Sequence, residues 1–179
     1  MPTSITGSGL INGLALPTDS IKPGMVHLHT ETFSGVLSVS IDNVFNSTYD
    51  NYRIVIRHTG GNEDVYMRMR SSGTDATTNY NRQVLDVDGT SVSAFRNTTA
   101  GFMVGVNTNA GVSDMIISGP NLVAITACTS VNAMSLSSAR LRVSGSTHST
   151  SSSYDGLTLV PGGAGTISGT VSVFGCRNT

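Results

Sequence analysis

Tryptophan is absent from this sequence, lysine occurs once (Lys22), and charged residues make up 12% of the chain. That charged share is about half the ~25% of an ordinary globular domain. Lys+Arg of 10 against Asp+Glu of 11 leaves a formal net charge of −1. No bulk electrostatic pull toward nucleic acid or an anionic membrane is therefore expected. Nucleic-acid binding would also need an aromatic platform, and only 6% of residues are aromatic. The missing tryptophan weighs against a stand-alone carbohydrate-binding module, which stacks sugars on exposed rings. Sugar contact through Tyr80, Tyr154 and polar loops stays open. The two cysteines, Cys128 and Cys176, lie in no C-x-x-C, which argues for two buried thiols in a reducing cell and against a disulfide framework. No apolar run approaches the ~20 residues of a membrane span. The front lacks a basic region and its apolar patch, 10–16, is broken by Gly13. A soluble chain made in a cytoplasm, without membrane insertion or secretory leader, is expected. Asn46-Ser47-Thr48 and Asn97-Thr98-Thr99 then read as chance matches to the glycosylation pattern.

What the sequence does have is period two. Tyr52, Ile54 and Ile56 point one way, and Arg53, Val55 and Arg57 the other. After the turn formers Thr59-Gly60-Gly61-Asn62, Val65, Met67 and Met69 share one face and Tyr66, Arg68 and Arg70 the other. The two runs are expected to pair as an antiparallel hairpin. That register would gather Arg53, Arg57, Arg68 and Arg70 into a basic stripe for a subunit or partner contact, such as a neighbour's carboxylates or an acidic sugar. The alternative is a solvated face balanced by Glu63 and Asp64. Similar short runs cover 36–41, 81–87, 91–96, 102–106, 113–118, 122–128, 133–136, 140–143, 157–160 and 166–174. No window carries a sustained helical stripe with caps. Asp88-Gly89 marks a tight turn, Pro161 to Gly165 is expected to turn a final hairpin, Gly169 to mark a bulge, and 145–153, nearly pure Ser/Thr with His148, to form a surface loop. Regularly spaced short strands predict an all-β, antiparallel, jelly-roll-like β-sandwich over residues 33–179. Residues 1–32, interrupted by Gly7, Gly9, Gly13, Pro17 and Pro23, read as an extended arm that a neighbour orders.

Two stretches carry a resemblance. FNSTYDNYRIVI (45–56) and YDGLTLVPGGAGTISGTVSVFGCRN (154–178) resemble segments of the β-rich appendage proteins of tailed-bacteriophage virions, which include short tail fibres, head fibres and decoration proteins. ITGSGLINGLALPTDSIKPGMV (5–26) resembles the attachment segments at the front of such proteins. The resemblance implies a non-enzymatic virion protein, a homotrimer, whose residues 1–32 anchor to the tail or capsid and whose sandwich meets the host surface, including a surface glycan. Tail fibre and capsid decoration stay open as alternatives, beside the stand-alone carbohydrate-binding module.

Candidate chemistry is sparse. His27-x-His29 on a strand would place both imidazoles on one side. Two ligands are too few for a stable zinc site in one chain. The resemblance implies that three copies could bring six nitrogens to a metal on a threefold axis; two ordinary polar histidines are the alternative. Asp86-x-Asp88-Gly89 has the start of a calcium loop without its distal ligands, which favours a plain hairpin turn. Gly162-Gly163-Ala164-Gly165 lacks the following helix of a nucleotide cradle. No G-x-S-x-G occurs and no Ser-His-Asp set stands out. No catalytic residue, metal or cofactor is expected.

Overall fold

Alternation of β-branched and aromatic residues with small polar ones gives strands that bury one face each. The computed structural model describes residues 24–105, 110–135 and 139–177, together with a small pair formed by β1 (Leu10–Ile11) and β2 (Leu14–Ala15). The sandwich strands are β3 (Met25–Val36), β4 (Val39–Ile41), β5 (Asn51–Gly61), β6 (Val65–Ser71), β7 (Thr74–Asp75), β8 (Tyr80–Asp88), β9 (Ser91–Thr99), β10 (Phe102–Gly105), β11 (Ala110–Ser118), β12 (Ala124–Ser135), β13 (Ala139–Ser152), β14 (Gly156–Pro161) and β15 (Ile167–Cys176). One sheet runs β10-β6-β14-β4, with β7 added to β6; the other runs β3-β15-β5-β11-β12-β13-β8-β9. Every pairing is antiparallel and no described residue is helical. The fold is the expected all-β sandwich.

The core lies between the sheets. Tyr52, Ile54 and Ile56 of β5, Met115 and Ile117 of β11, and Val171 and Val173 of β15 are fully buried against Met67 and Met69 of β6 and Leu157 and Leu159 of β14. Each such side chain contributes roughly 1.5–3 kcal/mol of burial. A second, smaller cluster sits on the far side of β10. Phe102 and Val104 join the main core, while Met103 points the opposite way to meet Met134 and Tyr66.

Four sequence expectations need correction. β5 and β6 do not form a hairpin: β5 lies between β15 and β11, and β6 between β10 and β14. Both runs send their apolar residues into the same core from opposite sides, and Gly61, at φ 146°, lets the chain cross from one sheet to the other. Pro161 to Gly165 likewise carries the chain from β14 in one sheet to β15 in the other. Residues 145–152 are not a loop but most of β13, with Ser146 and His148 buried and Thr147 and Ser149 exposed. Uniform Ser/Thr composition hides that period of two. Finally, Met25 to Thr32, assigned above to the arm, belong to β3, which pairs with β15. Residues 1–9, 12–13 and 16–23 of the arm lie outside the described residues, as do Val106 and Leu136.

Other expectations hold. Gly89, at φ 60°, turns the β8–β9 hairpin, in which Asp88 faces Ser91. The register of β15 against β5 shifts between Ser168 and Gly169, where a Cβ would collide with the Arg57 carbonyl oxygen. Here the two distinctive segments also meet. Ile56 pairs with Val171, Ile54 with Val173 and Tyr52 with Gly175. The Tyr52 hydroxyl accepts from the Asn46 amide at 2.7 Å and donates to the Asn46 carbonyl at 2.8 Å. Phe45 and Tyr49 pack edge-on against the Tyr52 ring, and Tyr49 covers Gly175 so closely that an added Cβ would lie 2.6 Å from its ring.

Candidate functional site

Because β5 and β6 belong to different sheets, the four arginines do not form one stripe. Arg53 and Arg57 stand on the outer face of the eight-stranded sheet, Arg68 and Arg70 on the outer face of the other. Arg53 donates a fork to Asp114, Nε to Oδ1 at 2.8 Å and an NH2 group to Oδ2 at 2.6 Å. Those bonds hold the Asp114 carboxyl below the usual carboxylate range. Arg70 donates to Asp42 at 2.6 Å and to Asp75 at 2.7 Å, and Thr158 donates to the same Asp75 oxygen at 2.6 Å. Arg53 and Arg70 thus serve intramolecular carboxylates. Arg57 is exposed, between Val112 and Thr170. Arg68 gives its Nε to the Ala100 carbonyl at 3.0 Å and borders a cleft.

That cleft, about 250 Å³, opens where β9 passes the edge of the smaller sheet, and Tyr66, Arg68, Arg82, Asn97 and Thr98 line it. Arg82 is buried, donates Nε to Asn97 Oδ1 at 2.6 Å and one NH group to the Met103 sulfur, and packs its guanidinium over the Tyr66 and Phe95 rings. Burial pulls the Arg82 pKa down, opposed by Tyr66 and Asp64. Ring faces and a polarisable sulfur take the place of water around this cation. Beside the engaged Arg82, the cleft presents the Arg68 guanidinium, an aromatic ring, an amide and a hydroxyl, groups able to hydrogen-bond an anionic ligand.

Behind it lies an ion network that the sequence reading missed. Asp86, buried on β8, accepts a fork from Arg140 (2.8 and 2.5 Å) and a further bond from Arg142. Arg140 also approaches Asp88 at 3.8 Å. The Arg140 hydrogen bonds are the main reason that the Asp86 carboxyl falls to about 2, with Arg142 adding to them. A carboxylate so engaged is no calcium ligand. Its signal was present: Arg82 and Asp86 are four apart, and Arg140 and Arg142 two apart, so each pair shares a strand face.

Elsewhere, a register shift between Val173 and Phe174 separates His27 from His29. His27 bonds Thr30 and meets the Phe174 ring edge-on, while His29 lies 3.6 Å from Glu31. The two imidazoles do not converge as regular alternation predicts. Among the described residues no group of three or more His, Cys, Asp or Glu side chains could hold a metal ion. Tyr80 and Tyr154 are buried, each packed edge-to-face with the His148 ring, and offer no sugar platform. Cys128 is buried and Cys176 partly so, both as free thiols. His58 and Ser113 are hydrogen-bonded at 3.0 Å, the nominal parts of a nucleophile, yet both are buried and both turn to the Val104 carbonyl. Burial lowers the His58 pKa, so a neutral imidazole bridges β5 and β10. No family model matches the chain, and no curated protein matches it in sequence.

Proposed function

We propose that this chain is a non-enzymatic structural subunit of a tailed-phage virion, a homotrimeric tail appendage that attaches to the host surface. The observation that carries the reading is the unit formed by the two phage-like segments. Far apart in sequence, they are neighbours in space: β5 and its Phe45–Tyr49–Tyr52 corner pair with β15 and seat Tyr49 on Gly175. The resemblance therefore rests on one packed substructure, with a physical reason for its aromatic and glycine positions. Residues before β3 supply the attachment to another virion protein. The cleft supports host contact through acidic surface glycan, because it sets the Arg68 guanidinium beside the Tyr66 ring and the Asn97 and Thr98 side chains, with the buried Arg82 behind them.

The test is the composition of purified particles of the phage that encodes the chain, by quantitative mass spectrometry and immunogold microscopy. Label on the tail at a few dozen copies at most supports the reading; roughly hundreds spread over the shell would make it a capsid decoration protein instead. Absence from particles would overturn the virion reading. Adsorption to acidic polysaccharide, with Arg68→Ala beside the unaltered chain, tests the cleft, and equal adsorption by both would remove it from the account.

A further inference from the structure

Half of the eight-stranded sheet is built inside out. On β12, β13 and β8, Ser130, Asn132, Arg142, Ser144, Arg82 and Asp86 face inward and are buried. On the same strands, Val131, Leu141, Val143 and Leu85 face outward at 40 to 48% exposure. An antiparallel sheet with one solvated face ordinarily does the opposite. The register lines these outward residues into two adjacent rows. One runs Val131–Val143–Leu85–Ala94. The other runs Val112–Ala133–Leu141–Val87–Val92. No charged side chain interrupts either row. Their exposed apolar surface is on the order of 600 Å², at the upper limit of what monomers expose and close to the ~800 Å² that each partner gives a standard interface.

We propose that this outer face of β11, β12, β13, β8 and β9 is the interface at which copies of the chain assemble, three around one axis. The threefold count rests on the proposed function; the choice of face does not. A second copy is the occupant because the face suits itself. Neither apolar row carries a charged side chain: the Arg53–Asp114 pair at the border is closed within the chain, and Arg57 beside Val112 and Arg96 beside Gln83 stand exposed at the margins, where they can keep their water. Beside that pair, Met25, Ile116, Val131 and Val143 line a recess of about 400 Å³, and at the far border Val92 stands 67% exposed on the open edge strand. One border thus receives and the other protrudes. Five strands at ~4.8 Å spacing make a strip about 20 Å wide, and three strips enclose a prism whose axis the valine and leucine rows fill. Polar residues turn inward in this half because its outer face is an interior of the assembly.

Light scattering on the full chain at micromolar concentration tests this. The expected mass is three times the 18.6 kDa of one chain. Leu141→Glu and Val131→Glu, at exposed positions, should give monomers with an unchanged far-ultraviolet β spectrum. Thr32→Glu, on the polar part of the same sheet face, should remain trimeric. In a Cys176→Ser background, Val143→Cys should cross-link between copies with a short bis-maleimide and Thr32→Cys should not; this arm does not depend on the Glu variants folding. A monomeric full chain, or trimers that survive Leu141→Glu and Val131→Glu, would overturn the assignment. A dimer broken by the same variants would support the face and overturn the threefold count. These results are separable from particle composition: a trimer absent from virions refutes the virion reading and leaves this interface standing, whereas a monomer found in virions refutes this interface and the homotrimer and leaves the virion reading standing.

Discussion

Replacing Asp86 by Asn probes the network behind the cleft most directly. Asp86 is 4% exposed and is the shared acceptor of Arg140 and Arg142. Its carboxyl lies at about 2 in the folded protein, against roughly 3.9 unfolded, a difference worth about 2.5 kcal/mol at neutral pH. The substitution costs more than that, because it leaves the buried Arg142 guanidinium without its carboxylate; breaking such a group typically costs ~3–5 kcal/mol. For a chain of this size that corresponds to a melting point lower by roughly 10 °C. The assay is urea unfolding followed by circular dichroism at several pH values. The folded pKa is depressed, so the Asp86 contribution is fully present above about pH 4 and disappears as pH falls through about 2. The gap between wild type and variant should therefore be widest near neutrality and shrink in acid. A loss below about 1 kcal/mol at neutral pH would refute the reasoning, since it would mean that water and ring faces satisfy the guanidinium groups unaided.

Three other perturbations have defined outcomes. Gly175→Ala drives a Cβ into the Tyr49 ring, so unfolding experiments should show a loss of about 1–3 kcal/mol, partly recovered when Tyr49→Ala is added. His58 is neutral and its folded pKa lies below the unfolded value; stability should fall as pH drops below about 6.5, and His58→Gln should flatten that slope in pH-dependent melting. The Cys128 thiol is pushed up to about 12 by burial, so iodoacetamide with mass spectrometry should label Cys176 first and leave Cys128 intact until the protein unfolds.

The sequence disclosed each strand better than its partner. Period two in 52–57 and 65–70 identifies the strands and their buried faces correctly, because the alternating apolar residues record which side meets the core. Turn chemistry between them could not say whether the chain returns within one sheet or crosses to the other, since Gly60-Gly61 suits both. That single ambiguity dispersed the expected arginine stripe. β13 was illegible for another reason: its inward residues are Ser144, Ser146 and His148, so polarity does not distinguish its two faces. The ion network failed for a third. Charges on alternating positions are ordinarily read as the wet side of a strand, and here Arg82, Asp86 and Arg142 are the dry side. The aromatic corner at Tyr49 and Tyr52 and the glycine of β15 were visible as a pattern, and the structure supplies its mechanical reason.

The place of β15 sets the order in which the molecule can be completed. Among the described strands β3 pairs with β15 alone, and β15 lies between β3 and β5. On a ribosome, Met25 to Val36 is made early but has no seat until residues 167–176 have emerged. A copy truncated before then would leave a twelve-residue strand loose in solution, open to proteases. The strand that leads toward the front of the chain therefore locks onto the body only in copies that have been translated through Cys176.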